Sequence, residues 1–455
     1  MRTSWSVLRL FTALALAAAS TAAVAAQSPP LPDPPQVASP DQNAVVAGDQ
    51  RSAPSVADRA AKTAPAEPST VPDDQSQAPA GTRQAAIEQE QAAKANQLHP
   101  YVPNKGEVIF QHVDTILEGG TLRWHPFFEN AYSGGGFTLG VGHTNYVSAY
   151  NYIDIRGSYT LSNYKRVEAE FVAPRLFNRR GHLSVLGGWR DATEVGFYGI
   201  GTDTSLDDKT NYRFQQPYLS GLLTVFPRRN VLMLRGGVEY SQWNQKHGEG
   251  TSPSVEQVYT PATLPGLGAK VNYLHTQGTV GLDWRTSPGY SRRGVYFGVT
   301  GHDYRDSDDE FGFRMVEYNA IQHIPILREA WVLSFHERVQ TAFDNDNQEI
   351  PFFMLPALGG GSSLRGYSSW RFRDMNSLLL QAEWRIMVNR YLDMAFFYDA
   401  GKVTASTKDI DLENLKDDFG FGLRFHGPFA TPLRVEIARS RESSIAFIFS
   451  SSASF

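Results

Sequence analysis

The chain contains no cysteine. Disulfides, thiolate metal sites and cysteine nucleophiles are therefore excluded. It also lacks an excess of positive charge. Lys and Arg number 42 against 47 Asp and Glu, a net charge of −5, so there is no basic coat for nucleic acid. Mean hydropathy is −0.34, too low for a bundle of membrane-spanning helices. Familiar enzyme signatures are missing as well. There is no G-x-S-x-G, and Gly361 to Gly366 has the wrong spacing for one. There is no Walker A loop, no H-E-x-x-H and no dinucleotide-binding glycine fingerprint between a strand and a helix. The chain is expected not to be an enzyme and to need no cofactor or metal. What it does have is glycine and aromatic side chains: 39 Gly, 27 Phe, 20 Tyr and 8 Trp in 455 residues.

The one long apolar run lies at the start. Arg2 and Arg9 precede an almost wholly apolar segment from Leu10 to Ala26, and Val24-Ala25-Ala26 before Gln27 has the small residues of a cleavage site. At about 16 apolar residues the run falls short of the ~20 that a spanning helix needs. Residues 1–26 read as a signal peptide. Residues 27–104 are rich in Pro, Ala, Gln, Ser and Asp, as in Ser28-Pro-Pro-Leu-Pro-Asp-Pro-Pro35, with almost no aromatic residue before Tyr101. Such a stretch cannot bury enough apolar surface to offset its chain entropy, and it reads as a disordered periplasmic linker. Within it only Ala85 to Leu98 has a helical pattern, with an apolar face made mostly of alanine, and such a helix is marginal alone in water.

From residue 105 to Phe455 the pattern changes to short alternating runs separated by Gly, Asn, Asp and Pro. Val167, Ala169 and Phe171 alternate with Arg166, Glu168 and Glu170; Leu234, Val238 and Tyr240 with Arg235 and Glu239; Phe419, Phe421 and Leu423 with Asp418 and Arg424; Leu433, Val435 and Ile437 with Arg434 and Glu436. Successive strand side chains point to opposite faces, so each run has one apolar and one charged face. A soluble sandwich shows the same period. Strand length and fully charged polar faces favour a barrel whose apolar side meets lipid and whose charged side lines a wet lumen. The expected fold is all-β, a transmembrane antiparallel barrel of about 16 strands over residues 105–455, housed in the bacterial outer membrane amid lipid and lipopolysaccharide. The last run places Phe447, Phe449 and Phe455 on one face and ends on an aromatic residue, like the assembly signal of such barrels.

Three segments, in order, carry a sharper signal: Leu364-Arg365-Gly366-Tyr367 within a longer run ending Trp370-Arg371-Phe372-Arg373-Asp374; Gln381-Ala-Glu383-Trp-Arg385; and Phe397-Tyr-Asp399-Ala-Gly-Lys-Val403. Together with Gly196-Phe-Tyr-Gly-Ile-Gly201 and the terminal Phe, they resemble the Omp85 superfamily, also called the bacterial surface antigen D15 family. The resemblance runs from about residue 130 to 455. Alternation by itself turns Gln381, Glu383, Arg385, Asp393 and Asp399 toward the lumen. The resemblance implies that the loop carrying the motif folds back into the barrel and that Arg365 bridges Glu383 and Asp399.

The resemblance also implies work in protein assembly or polypeptide translocation at the outer membrane, with an unfolded outer-membrane protein or a secreted polypeptide as partner. Typical members carry periplasmic POTRA modules, and residues 27–104 have neither the pattern nor the composition for one. That segment is expected instead to recruit a periplasmic partner, cross part of the periplasm or enter the lumen. A porin-like channel or structural barrel is the alternative, and an outer-membrane lipid-modifying enzyme the more distant one. His302, His323 and His336 lack ligand spacing and read as ordinary lumen or interface residues. The acidic stretches Asp203–Asp208, Asp303–Glu310 and Asp344–Glu349 lack the central glycine of a calcium loop and read as solvated loop tips.

Overall fold

The computed structural model describes residues 83–97, 123–228, 231–442, 445–450 and 455. The signal-peptide reading of residues 1–26, most of the linker and residues 105–122 lie outside these. One helix, Arg83–Gln97, occupies the segment read as linker; it starts two residues before the sequence pattern suggests and carries a Glu90–Lys94 ion pair of 2.8 Å one turn apart.

The remaining described residues build strands in chain order: β1 (Trp124–Pro126), β2 (Thr138–Tyr146), β3 (Tyr152–Thr160), β4 (Lys165–Arg175), β5 (Gly181–Phe197), β6 (Thr210–Arg228), β7 (Leu232–His247), β8 (Lys270–Asp283), β9 (Gly294–Asp306), β10 (Phe313–Ile326) and β11 (Trp331–Asp344). After β11 come β12 (Ala357–Leu358) and β13 (Phe372–Arg373), which pair with each other in a separate two-stranded sheet, then β14 (Asn376–Asn389), β15 (Leu392–Thr404), β16 (Lys416–Phe425), β17 (Leu433–Ser440) and β18 (Ala446–Ser450). Apart from β12 and β13 they form one 16-stranded antiparallel sheet in which each strand pairs with its neighbour in sequence. The two ends of the ladder meet through aromatic rings: Phe137, just ahead of β2, stands edge-on to Phe449 of β18 with centroids 6.3 Å apart.

The side-chain distribution is inverted relative to a soluble protein. Val167, Val280 and Phe419 are 57%, 61% and 59% exposed, whereas Glu168, Asp399 and Glu436 are 2%, 0% and 0% exposed. Lipid accepts the first set and a polar interior the second, as a membrane-spanning barrel requires. No helix among the described residues is long and apolar enough to cross a membrane. Two local expectations shift. β14 runs on past Arg385 to Asn389, and β9 includes Asp303 to Asp306, which the sequence pattern assigns to a loop tip.

Most connections at one end are short turns, whereas the longest, residues 248–269 and 345–375, lie at the other, the asymmetry of outer-membrane barrels. At the loop end the lumen is filled by a buried aromatic cluster. Tyr164, Phe197, Tyr212, Phe214, Trp243, Tyr273 and Phe313 from the wall pack around Phe352 and Phe353 from the β11–β14 connection.

Candidate functional site: the inward loop and its ionic anchor

The β11–β14 connection, residues 345–375, is the longest in the described ladder and turns into the lumen. Its tip is built by local chemistry. Gly359 and Gly360 adopt φ of +115° and +97°, a region that L side chains rarely occupy. Their turn closes through Gly360 N–H donating to the carbonyls of Leu364 and Tyr367 at 3.1 Å each. Leu364, Tyr367 and Phe372 then pack with Leu358, Leu379 and Val403 into a small apolar cluster. The Tyr367 hydroxyl donates to the Asp417 carbonyl at 3.2 Å. Gly366 lies so close to the wall that a Cβ there would stand 2.6 Å from the Cβ of Asp418.

This packing delivers Arg365 into a set of buried acids. Its Nε and Nη2 donate to the two oxygens of Asp399, each at 2.7 Å, and its backbone N–H reaches the same carboxylate at 3.3 Å. Nη1 donates to Glu383 at 3.3 Å and to Glu436 at 3.1 Å. The guanidinium also sits 3.5 Å from the centre of the Phe397 ring. Burial alone would pull its pKa down; Asp399, with Glu436 and Glu383, reverses this and holds it protonated well above the ordinary arginine value.

The surrounding strands supply the rest. Gln381, opposite Asp399 in the ladder, donates to Asp399 at 3.1 Å and to the Ser363 carbonyl of the loop at 2.8 Å. Arg424 of β16 donates to Glu383 and, at 2.8 Å, to Glu436. Arg434 pairs with Glu436 at 3.3 Å and donates to the Gly361 carbonyl at 3.0 Å. Gly422 leaves the space Glu436 occupies; a Cβ there would stand 2.5 Å from the Glu436 Cγ. Arg365, Arg424 and Arg434 thus face Glu383, Asp399 and Glu436; Arg365, Arg424, Glu383 and Glu436 each meet more than one opposite charge, while Asp399 is held by both arms of Arg365 and Arg434 pairs with Glu436. A fully desolvated ion pair needs this arrangement if it is to persist.

The structure therefore brings Leu364, Arg365, Gly366, Tyr367, Glu383 and Asp399 together. It also adds partners the motif did not name. Glu436, Arg424 and Arg434 are inward-facing by alternation, but nothing in the sequence connects them to the loop. A second anchor lies in Trp370-Arg371-Phe372-Arg373. Arg371 donates to both oxygens of Glu442 at 2.7 and 3.0 Å and to Thr204. Arg373 donates to the Tyr212 hydroxyl at 2.9 Å, and its carbonyl accepts from Gly201 at 2.8 Å. Trp370 donates to the Ser133 carbonyl at 2.8 Å and stacks on Tyr132 at 4.4 Å. The only sequence trace of this anchor is arginine spaced by two within a loop.

The C-terminal aromatics divide. Phe447 and Phe449 are exposed on the lipid side. Phe455, expected on the same face, instead lies with its ring 5.1 Å from His336 and 6.2 Å from His323, both lumen residues. Strict alternation does not carry to the last residue. His323 and His336 are themselves hydrogen-bonded, to Ser334 at 2.8 Å and Gln381 at 2.7 Å, and His302 to His275 at 3.0 Å.

A membrane barrel plugged by a loop held on internal acids defines the class. A family model, the Omp85 superfamily domain, matches residues 145–454, and the chain belongs to this superfamily. BamA from Haemophilus ducreyi lacking POTRA domains 1–3 is similar in structure, with a TM-score of 0.50 and 15% identity over 72% of this chain and 68% of that one. CdiB from Escherichia coli gives a TM-score of 0.49 and 12% identity over 69% of this chain; CdiB from Acinetobacter baumannii gives 0.44 and 11% over 69%. The match spans 57% and 55% of those two CdiB chains. No curated protein sequence matches the chain. Among the described residues ahead of β1 there is one helix and no βαββα module.

Proposed function

We propose that the chain is a non-enzymatic outer-membrane barrel that assembles proteins into the membrane or passes polypeptide across it. Membership of the Omp85 superfamily supports the general role. The observation that carries the reading is the loop held across the lumen by Arg365 on Asp399, Glu383 and Glu436. A diffusion pore needs an unobstructed lumen, whereas here the longest connection fills it and is fixed by buried charge; this favours a gated machine over the porin-like alternative. The loop cluster is read as a structural lock and not as a catalytic site. In this reading the chain is exported by its N-terminal signal, surrounded by lipid and lipopolysaccharide, and acts on an unfolded outer-membrane protein or a secreted polypeptide. Residues 27–104 are read as the point of contact for a periplasmic partner.

The test is assisted folding. Residues 27–455 are reconstituted in liposomes, an unfolded outer-membrane barrel is added, and its insertion is compared with that in empty liposomes. Acceleration is the expected outcome. Equal rates would reject insertase activity and shift weight to a translocation pore or a channel, which single-channel conductance separates.

A further inference from the structure

The β8–β9 connection, residues 284–293, does not behave as an ordinary hairpin turn. In the ladder, β10, β11 and β14 lie between β9 and β15. Yet residues of this connection contact β15 and the turn beyond β16 directly. The Tyr290 hydroxyl donates to Asp393 of β15 at 2.6 Å, lies 3.0 Å from His426 Nε2, and the two rings stack with centroids 3.8 Å apart. Ser287 donates to the Phe429 carbonyl at 3.1 Å, and Thr431 donates to the Gly289 carbonyl at 3.2 Å. Gly289 passes so close that a Cβ there would stand 2.4 Å from the Phe429 carbonyl oxygen. Arg292 donates to the Glu329 carbonyl in the β10–β11 turn at 2.8 Å and pairs with Asp393 at 3.5 Å.

These contacts are buried. Tyr290, Ser291, Asp393 and His426 are 6%, 3%, 0% and 3% exposed, although all sit at the turn end of the barrel, where solvent would otherwise enter. A small cavity is lined by Ser291 of this connection, by Glu383 and Arg424 of the ionic anchor, and by Ser334, Arg385 and Phe455. Arg385 joins the two: its Nη2 donates to the Ser291 carbonyl, and its Nε lies 3.7 Å from the Glu383 carboxylate that Arg365 also engages.

We propose that residues 284–293 form a strap that closes the turn-end mouth of the lumen, fastened by Tyr290 on Asp393 and His426, and that its release admits polypeptide from that side. A hairpin that only joined two strands would have no need of a buried tyrosine–carboxylate–imidazole cluster with a strand four places further on. The strap's contacts with the far wall are hydrogen bonds to side chains and carbonyls and not ladder pairing, so they can open without breaking the sheet. Arg385 ties its release to the environment of Glu383, so strap and inward loop share one wall residue. The passage of polypeptide rests on the function proposed above; closure of the mouth does not.

The absence of cysteine allows a direct test. Ser334→Cys places one thiol in the cavity behind the strap, and the full chain in detergent micelles is reacted with a maleimide. Slow labelling is expected in this parent. Adding Tyr290→Phe or Asp393→Asn should speed labelling on the order of tenfold, as expected when a charged hydrogen bond that holds a closed state is removed. Heat-modifiable gel mobility verifies that each variant retains its barrel. Labelling as slow as in the parent in a folded Tyr290→Phe variant overturns the proposal, whatever Asp393→Asn does. Faster labelling with Arg365→Ala but not with the strap variants also overturns it, because access would then come from the loop end. No client protein is needed, so a negative assisted-folding result leaves this outcome intact and the two readings fail separately.

Discussion

At the scale of the residue, Arg365 shows what a guanidinium supplies that a lysine ammonium cannot. Its planar fork serves both oxygens of Asp399 while a third nitrogen reaches Glu383 and Glu436. Truncation would leave three buried carboxylates sharing fewer cations. Removing one partner of such a buried set costs about 3–5 kcal/mol. Arg365→Ala is therefore expected to lower the temperature at which the barrel loses its fast-migrating form on a semi-native gel, with Glu383→Ala and Asp399→Ala acting in the same direction. Three silent variants would reject the lock. Glu383 and Asp399 were legible in the sequence because strand alternation turns them inward and the family resemblance implies that Arg365 reaches them. Glu436, on β17, was equally inward, but its link to Arg365 depends on the path of the loop through space, which alternation does not encode. Phe455 marks the other limit: a period of two counted from Phe447 and Phe449 puts it on the lipid side, whereas its ring lies against His336 and His323.

At the scale of the element, lipid makes the strands readable. A strand between hydrocarbon and a polar lumen must alternate, so β4, β7, β16 and β17 could be oriented from composition by position. The same physics sets a penalty for violating it. Val238, in the middle of β7, is 50% exposed on the lipid side. Val238→Arg should destabilise the folded barrel by about 2–4 kcal/mol, measured by denaturant titration in liposomes, the cost of arginine on a lipid face near the bilayer midplane. An unchanged midpoint would mean that this face does not meet hydrocarbon. The loop 345–375 has no such solvent to impose a pattern, and its second anchor stayed hidden. Arg371 and Arg373 are 1% and 0% exposed, but arginine in a loop ordinarily signals solvent. Only the fold shows that Thr204, Tyr212 and Glu442 are waiting for them.

At the scale of the whole molecule, the wall and the plug are parts of one chain with different kinds of adhesion. The wall is held by main-chain ladders, the plug by side chains. The intact protein should show low conductance in planar bilayers, and excision of residues 361–369 should raise it severalfold; equal currents would mean that the loop does not obstruct the lumen. The plug also has a kinetic consequence. Trp370 contacts Ser133, 237 positions earlier, and Arg371 contacts Glu442, 71 positions later. The first contact needs the start of the ladder in place and the second its end, so loop-closure entropy is met before these bonds return anything. Docking of the plug is thus a late event in folding, and the seated loop reports that the first and last strands have arrived.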